Sequence, residues 1–244
     1  MKNLGQHISQ RYNKDLENIR NQVLKMGGLV EAQADNAVKA MLERNAELAE
    51  EVAKSDFKVN AMEVAIDENC VQLIARRQPA ASDLRLLIAV VKVITDLERI
   101  GDEAEKIGRY SIKLAKKHTI TGMHAELSHL CELVLSMLHD ALDAFARMDT
   151  DLALKVISMG EKINQEYNML SRLLITHMME DSRNIKNVLR VTWCARSLER
   201  IGAHSRNISE YVVYLVKGKD IRHIALDEVF KDYYPDEEID PLIK

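Results

Sequence analysis

The chain has 244 residues, is 47% hydrophobic and carries a formal net charge of −4 at neutral pH. Three prolines, nine glycines and 5% aromatic residues leave it poor in turn formers, which argues against an all-β fold and for helix on helix. The charge is uneven: from residue 227 onward seven acids face two lysines, so the tail is −5 and everything before it +1, with no basic footprint for a nucleic acid.

Residues 1–7 are polar and read as no signal peptide. The first predicted helix spans about 8–44, with Leu16, Ile19, Val23, Met26, Val30, Ala34, Ala37 and Met41 at spacings of three and four. Asn45 ends it. The second spans about 48–76 and stops before Pro79, whose ring disfavours helix in the preceding residue. Ser82 is the expected N-cap of the third, which runs to about 117. Gly122 divides the chain, and helices over about 123–148, 151–179 and 183–217 follow, capped by Asp149 or Thr150 and by Asp181 or Ser182. Gly218 closes the last of them. A short amphipathic piece at 224–230 then precedes the acidic end, read as disordered or as a lightly docked helix.

The second half rewrites the first. Leu97-Glu98-Arg99-Ile100-Gly101 recurs as Leu198-Glu199-Arg200-Ile201-Gly202, 101 positions on, and earlier segments match at an offset of 104, as Leu29-Val30 does with Leu133-Val134. The extra three residues fit in the longer connection at Arg76–Ala81. A unit of about a hundred residues is thus written twice, and its copies should fold alike. Short loops force consecutive helices antiparallel. The expected fold is all-α: two tandem three-helix up-down-up bundles, six long helices, over residues 1–120 and 121–218, followed by a tail at 219–244.

Cys70, Cys131 and Cys194 are far apart, lack metal-finger spacing and fall on apolar stripes, so they read as buried thiols in a reducing compartment. The longest apolar stretch, 86–94, falls far short of the roughly 20 residues that span a bilayer. The expectation is a soluble cytosolic protein.

Chemistry concentrates in carboxylates. On a helical wheel Glu98 and Asp102 border the apolar stripe of the third helix, and Glu31 and Asp35 border that of the first in the same way. Like charges one turn apart cost a helix about 0.2–0.5 kcal/mol, so two converging pairs call for a cation. Four carboxylates suit Mg²⁺, Mn²⁺, Fe or Zn²⁺. The alternative is solvated boundary charge relieved by Arg99, Lys106 and Arg109. The second copy keeps Glu199 but places Ala203 where Asp102 stands, and Leu135 and His139 where Glu31 and Asp35 stand. Glu126-x-x-His129 lacks the partner motif that a di-iron bundle needs. Arg76, Arg77 and Arg85 flank the long connection and suit an anion or the solvated end of a bundle. No credible nucleophile or general base is present, which points away from an enzyme.

The duplicated unit, Asp96-Leu97-Glu98-Arg99-Ile100-Gly101-Asp102, the preceding Arg77-Gln78-Pro79-Ala80-Ala81-Ser82-Asp83-Leu84-Arg85 and the second Leu198–Gly202 string resemble the PhoU family over residues 5 to about 223. The resemblance implies a six-helix cytoplasmic protein, usually a homodimer. It implies a negative regulator of phosphate uptake and of the phosphate-starvation response, an adaptor between the phosphate ABC transporter ATPase and a sensor histidine kinase. Association with the membrane would be peripheral, through those partners. It also implies Fe or Zn on Glu/Asp-x-x-x-Asp pairs, which Glu31, Asp35, Glu98 and Asp102 match and which Glu199 meets only in part because of Ala203. The contrasting reading is a metal-binding bundle with redox or storage activity.

Overall fold

The computed structural model describes residues 10–116 and 124–233; the start of the first predicted helix, the Gly122 divide and the acidic end lie outside them. The described residues form helices α1 (Gln10–Leu42), α2 (Ala46–Ser55), α3 (Phe57–Arg77), α4 (Ala81–Ala115), α5 (His124–Arg147), α6 (Thr150–Glu180), α7 (Ile185–Lys217) and α8 (Leu226–Tyr233), with no strand among them.

The duplication is visible down to the turns. Arg44 and Met148, at equivalent places, both take left-handed backbone, φ 56° and 54°. The next residue caps the following helix in each copy: Asn45 accepts from the Leu48 N–H, and Asp149 from those of Asp151 and Leu152. Gly218, at φ 77°, closes α7 as its sequence position predicts.

Two details depart from expectation. The second predicted helix is broken at Asp56 into α2 and α3, where that side chain lies beside Gly101 of α4. A Cβ on Gly101 would stand 3.1 Å from Asp56 Oδ1 and 3.3 Å from Val59 Cγ1, so a larger residue would make these side chains give way by a few tenths of an ångström. α4 begins at Ala81 behind Ala80, which makes no side-chain cap, rather than behind Ser82. Most of the 224–230 piece lies in a docked helix, α8, one of the two forms expected of it; its Val229 is buried and its Tyr233 ring lies 5.5 Å from Lys217 Nζ.

One hydrophobic core runs through both copies. Its spine is the pair α4 and α7, which lie antiparallel. Lys92 sits over the Tyr211 ring, Asp96 meets His204, Glu103 meets Arg200, and the Arg190 guanidinium reaches the Lys113 carbonyl. α1 and α5 pack across the other inter-copy contact. Along α4, Val90, Val93, Leu97, Ile100, Ala104 and Ile107 keep the helical period and are all buried. The three thiols are buried and unpaired, as expected, and burial pushes those of Cys70 and Cys131 up to about 12. Among the described residues no helix is long and apolar enough to cross a membrane.

Candidate functional site

The acidic border of α4 is the first place to look. Glu98 and Asp102 stand one turn apart with Arg99 between them, its Nε 3.4 Å from Glu98 Oε2 and its Nη1 3.6 Å from Asp102 Oδ2. Burial holds the Glu98 carboxyl above its ordinary range, and the charge of Asp102 adds to this, with smaller contributions from Glu63 and Asp56 that Arg99 opposes. Asp56 is itself held at the α2–α3 break by the Asn60 amide at 3.0 Å and the Gln33 amide, from α1, at 3.4 Å. The carboxylates that crowd Glu98 therefore come from α4, α3 and the α2–α3 break.

The α1 pair takes other neighbours. Glu31 Oε1 lies 2.7 Å from His139 Nδ1, across on α5, and Asp35 is exposed. The hydrogen bond to Glu31 and then its charge raise the His139 pKa, helped by Asp140 and Asp143. Glu199, the counterpart of Glu98, lies 3.0 Å from Arg196 Nη1, with Ala203 exposed one turn on. Among the described residues, no three His, Cys, Asp or Glu side chains stand where they could share a metal ion. Arg99 lies between the two acids of the α4 pair, and the His139 ring lies against Glu31 of the α1 pair while Asp35 is exposed, so as placed these donors do not gather round one ion.

Beside Glu31 opens a cleft of about 230 Å³ between α1, α4 and α5. Gly27 and Gly28 form one wall, Val93 and Leu97 the floor, and His139 and Asp143 the opposite rim. Gly27 has a packing reason, since a Cβ there would meet Leu142 Cδ2 at 3.0 Å. This cleft depends on how one copy meets the other, and periodicity within a helix does not reveal it.

The α4–α7 seam holds the polar groups that sequence reading missed. Asp96 Oδ1 lies 2.6 Å from His204 Nδ1 and accepts from the Asn207 amide at 3.0 Å. Glu103, only 3% exposed, meets Lys106 at 2.9 Å and Arg200 at 3.1 Å. A buried carboxylate is costly unless paired and hydrogen-bonded, and these pairs span the copies, so they set the register of α4 on α7. A signal was present: within the repeated block, the positions equivalent to Glu103 and Asp96 at the 101 offset are His204 and Ser197, a change of residue type in each case.

The 76–85 connection is tied down as well. Asp83 is fully buried and accepts from the Tyr12 hydroxyl at 3.2 Å, while Arg85 lies over the Tyr214 ring. Arg77 is 3.8 Å from Asp15, and Arg76 is exposed. Two of the three arginines that suit an anion thus already hold the chain's own groups.

The comparisons with known proteins agree with this geometry. The family pattern described as "PhoU domain" matches residues 23–111 and again 127–212, the two copies. The phosphate-specific transport system accessory protein PhoU homolog of Pseudomonas putida is 52% identical, over 91% of this chain and 87% of that protein. The Escherichia coli K12 accessory protein PhoU is 50% identical, over 94% of this chain and 95% of its own length. Among solved structures, PhoU from Pseudomonas aeruginosa aligns with a TM-score of 0.83 at 49% identity, over 85% of this chain and all of that one. The phosphate transport system regulatory protein PhoU from Streptococcus pneumoniae aligns at 0.79 and 31% identity, over 86% of this chain and 98% of its own. Two bundles, one shared spine and both copies of the domain pattern lead to one conclusion: this chain belongs to the PhoU family.

Proposed function

We propose that this protein regulates phosphate transport as a non-enzymatic adaptor. It binds the ATPase subunit of the phosphate ABC transporter and the cytosolic part of a sensor histidine kinase, and it restrains both uptake and the starvation response when phosphate is plentiful. It works in the cytoplasm as a homodimer and reaches the membrane through those partners. The observation that carries the reading is near full-length identity of about half with proteins named as accessories of phosphate-specific transport. The physical support is a rigid spine, α4 and α7, that holds two helical faces at a constant distance, as an adaptor requires. Deleting the gene should leave starvation genes expressed at high phosphate; normal repression in the deletion strain would contradict the proposal.

A second reading has one observation in its favour. The crowding of Glu98 by Asp102, Glu63 and Asp56 is a repulsion that a divalent cation would relieve. Fe, Zn, Mg or Mn held at that edge would need Arg99 to swing away. Elemental analysis of protein purified without chelator, wild type against Glu98→Ala/Asp102→Ala, separates the readings. Metal present in both at equal stoichiometry removes this edge from consideration.

A further inference from the structure

The outer face of α3 is apolar where a solvated helix would be polar. Its inner face buries Val59, Ile66, Cys70 and Leu73. On the opposite side Phe57, Val64 and Val71, at seven-residue spacing, are 66%, 56% and 57% exposed. Ala61 and Ala75 continue the stripe and are also exposed. A helix apolar on both faces is expected to be covered on both.

The duplication supplies an internal control. At the 104 offset the inner face of α3 is matched by buried apolar residues in α6: Val59 by Ile163, Ile66 by Leu170, Cys70 by Leu174. The outer face is not matched in the same way. Phe57, Ala61 and Val64 become Glu161, Gln165 and Asn168, all exposed, whereas Val71 and Ala75 become Ile175 and Met179, exposed and still apolar. The same fold is therefore built in the second copy with a polar outer face over the first two turns of that stripe. Folding does not demand apolar side chains at Phe57, Ala61 and Val64, and an external contact is the reason to keep them there.

Charge and size identify what covers it. On a helical wheel the only charged side chains within about 60° of the stripe's centre are Asp67 and Glu68. Their counterparts in α6 are Ser171 and Arg172, so the sign of the face is specific to the first copy. A stripe roughly 30 Å long and one helix wide, about 300 Å², is well short of the roughly 800 Å² per partner of a stable dimer. It suits a single helix laid along α3.

We propose that the outer face of α3 docks an amphipathic helix of a partner protein, with apolar side chains seated against Phe57, Val64 and Val71 and flanking Lys or Arg residues on Asp67 and Glu68. This rests on the adaptor reading above and names the surface it uses.

The test borrows the second copy's own residues, which this fold already accepts. Phe57→Glu/Ala61→Gln/Val64→Asn and, separately, Asp67→Ser/Glu68→Arg are compared with wild type. Binding to the purified transporter ATPase subunit and to the cytosolic part of the sensor kinase is measured, with circular dichroism and melting curves as folding controls. The inference expects wild type to bind at least one of the two, and each variant to bind that partner at least tenfold more weakly while melting as wild type does. Salt should weaken the wild type more than the charge variant. Wild-type binding that neither variant alters overturns the inference and leaves the adaptor reading standing. A wild-type dimer that the first variant converts to monomer, with partner binding intact, makes a second copy the occupant and also overturns it. Wild-type protein that binds neither partner overturns both.

Discussion

The two copies solve one packing problem with different edges. Their hairpin turns, caps and core stripes coincide, yet Asp56 breaks the second helix of the first copy where Gly160 leaves α6 continuous. Gly101 admits the polar Asp56 and Gln33, whereas its counterpart Gly202 faces Ile163 and Met137. The core is what duplication preserved. Carboxylates, kinks and outer faces are where the copies diverged, and those are the positions to question about function.

The comparison can be broken first at its most conserved point. Leu97 and Leu198 are equivalent and fully buried, so either change to Ala should cost about 2–5 kcal/mol, read by urea denaturation. Because one core runs through both copies, each variant should unfold in a single transition. Two separated transitions would show copies that fold independently. A smaller asymmetry is expected at Arg200 and its equivalent Arg99. Arg200→Ala strips buried Glu103 of its cross-copy partner and should cost about 1–2 kcal/mol, while Arg99, more than half exposed, should cost less than about 1. Equal losses would mean that the Glu103 pair adds nothing to the seam. The caps should behave alike, Asn45→Ala and Asp149→Ala each costing about 1 kcal/mol.

The smallest effect concerns pH. Burial and Asp102 raise the folded-state pKa of Glu98, so the native protein holds that proton more tightly than the unfolded chain does. Stability then falls as pH rises from the unfolded carboxyl range, about 4.3, through the folded value, and the penalty is fully present above that. Glu98→Gln should therefore stabilise slightly at neutral pH, with the gain fading in acid. A variant less stable at neutral pH would show that Arg99 outweighs the crowding.

Much of this was legible in the sequence, for reasons local to each helix. The spacing of Val23, Met26 and Val30 names a buried face, and Asn45, Asp149 and Gly218 announce their ends because turn chemistry needs those residues. The break at Asp56 was not legible, since no proline or glycine marks it. Asp56 lies there against Gly101, far along the chain, where α4 comes close. The different neighbours of Glu31 and Glu98 were hidden for the same kind of reason. A wheel places each acid relative to its own core, but His139 reaches Glu31 only because α5 packs on α1. Nor could Ser82 be separated from Ala80 as the start of α4, where a buried Asp83 anchors the turn.

The adaptor claim reduces to simultaneous occupancy. Sedimentation of the purified chain mixed with the transporter ATPase subunit and the cytosolic part of the sensor kinase, in phosphate-rich buffer, measures it directly. The account predicts one species containing all three proteins. Two separate binary complexes that exclude one another, or a chain that sediments alone, would contradict it.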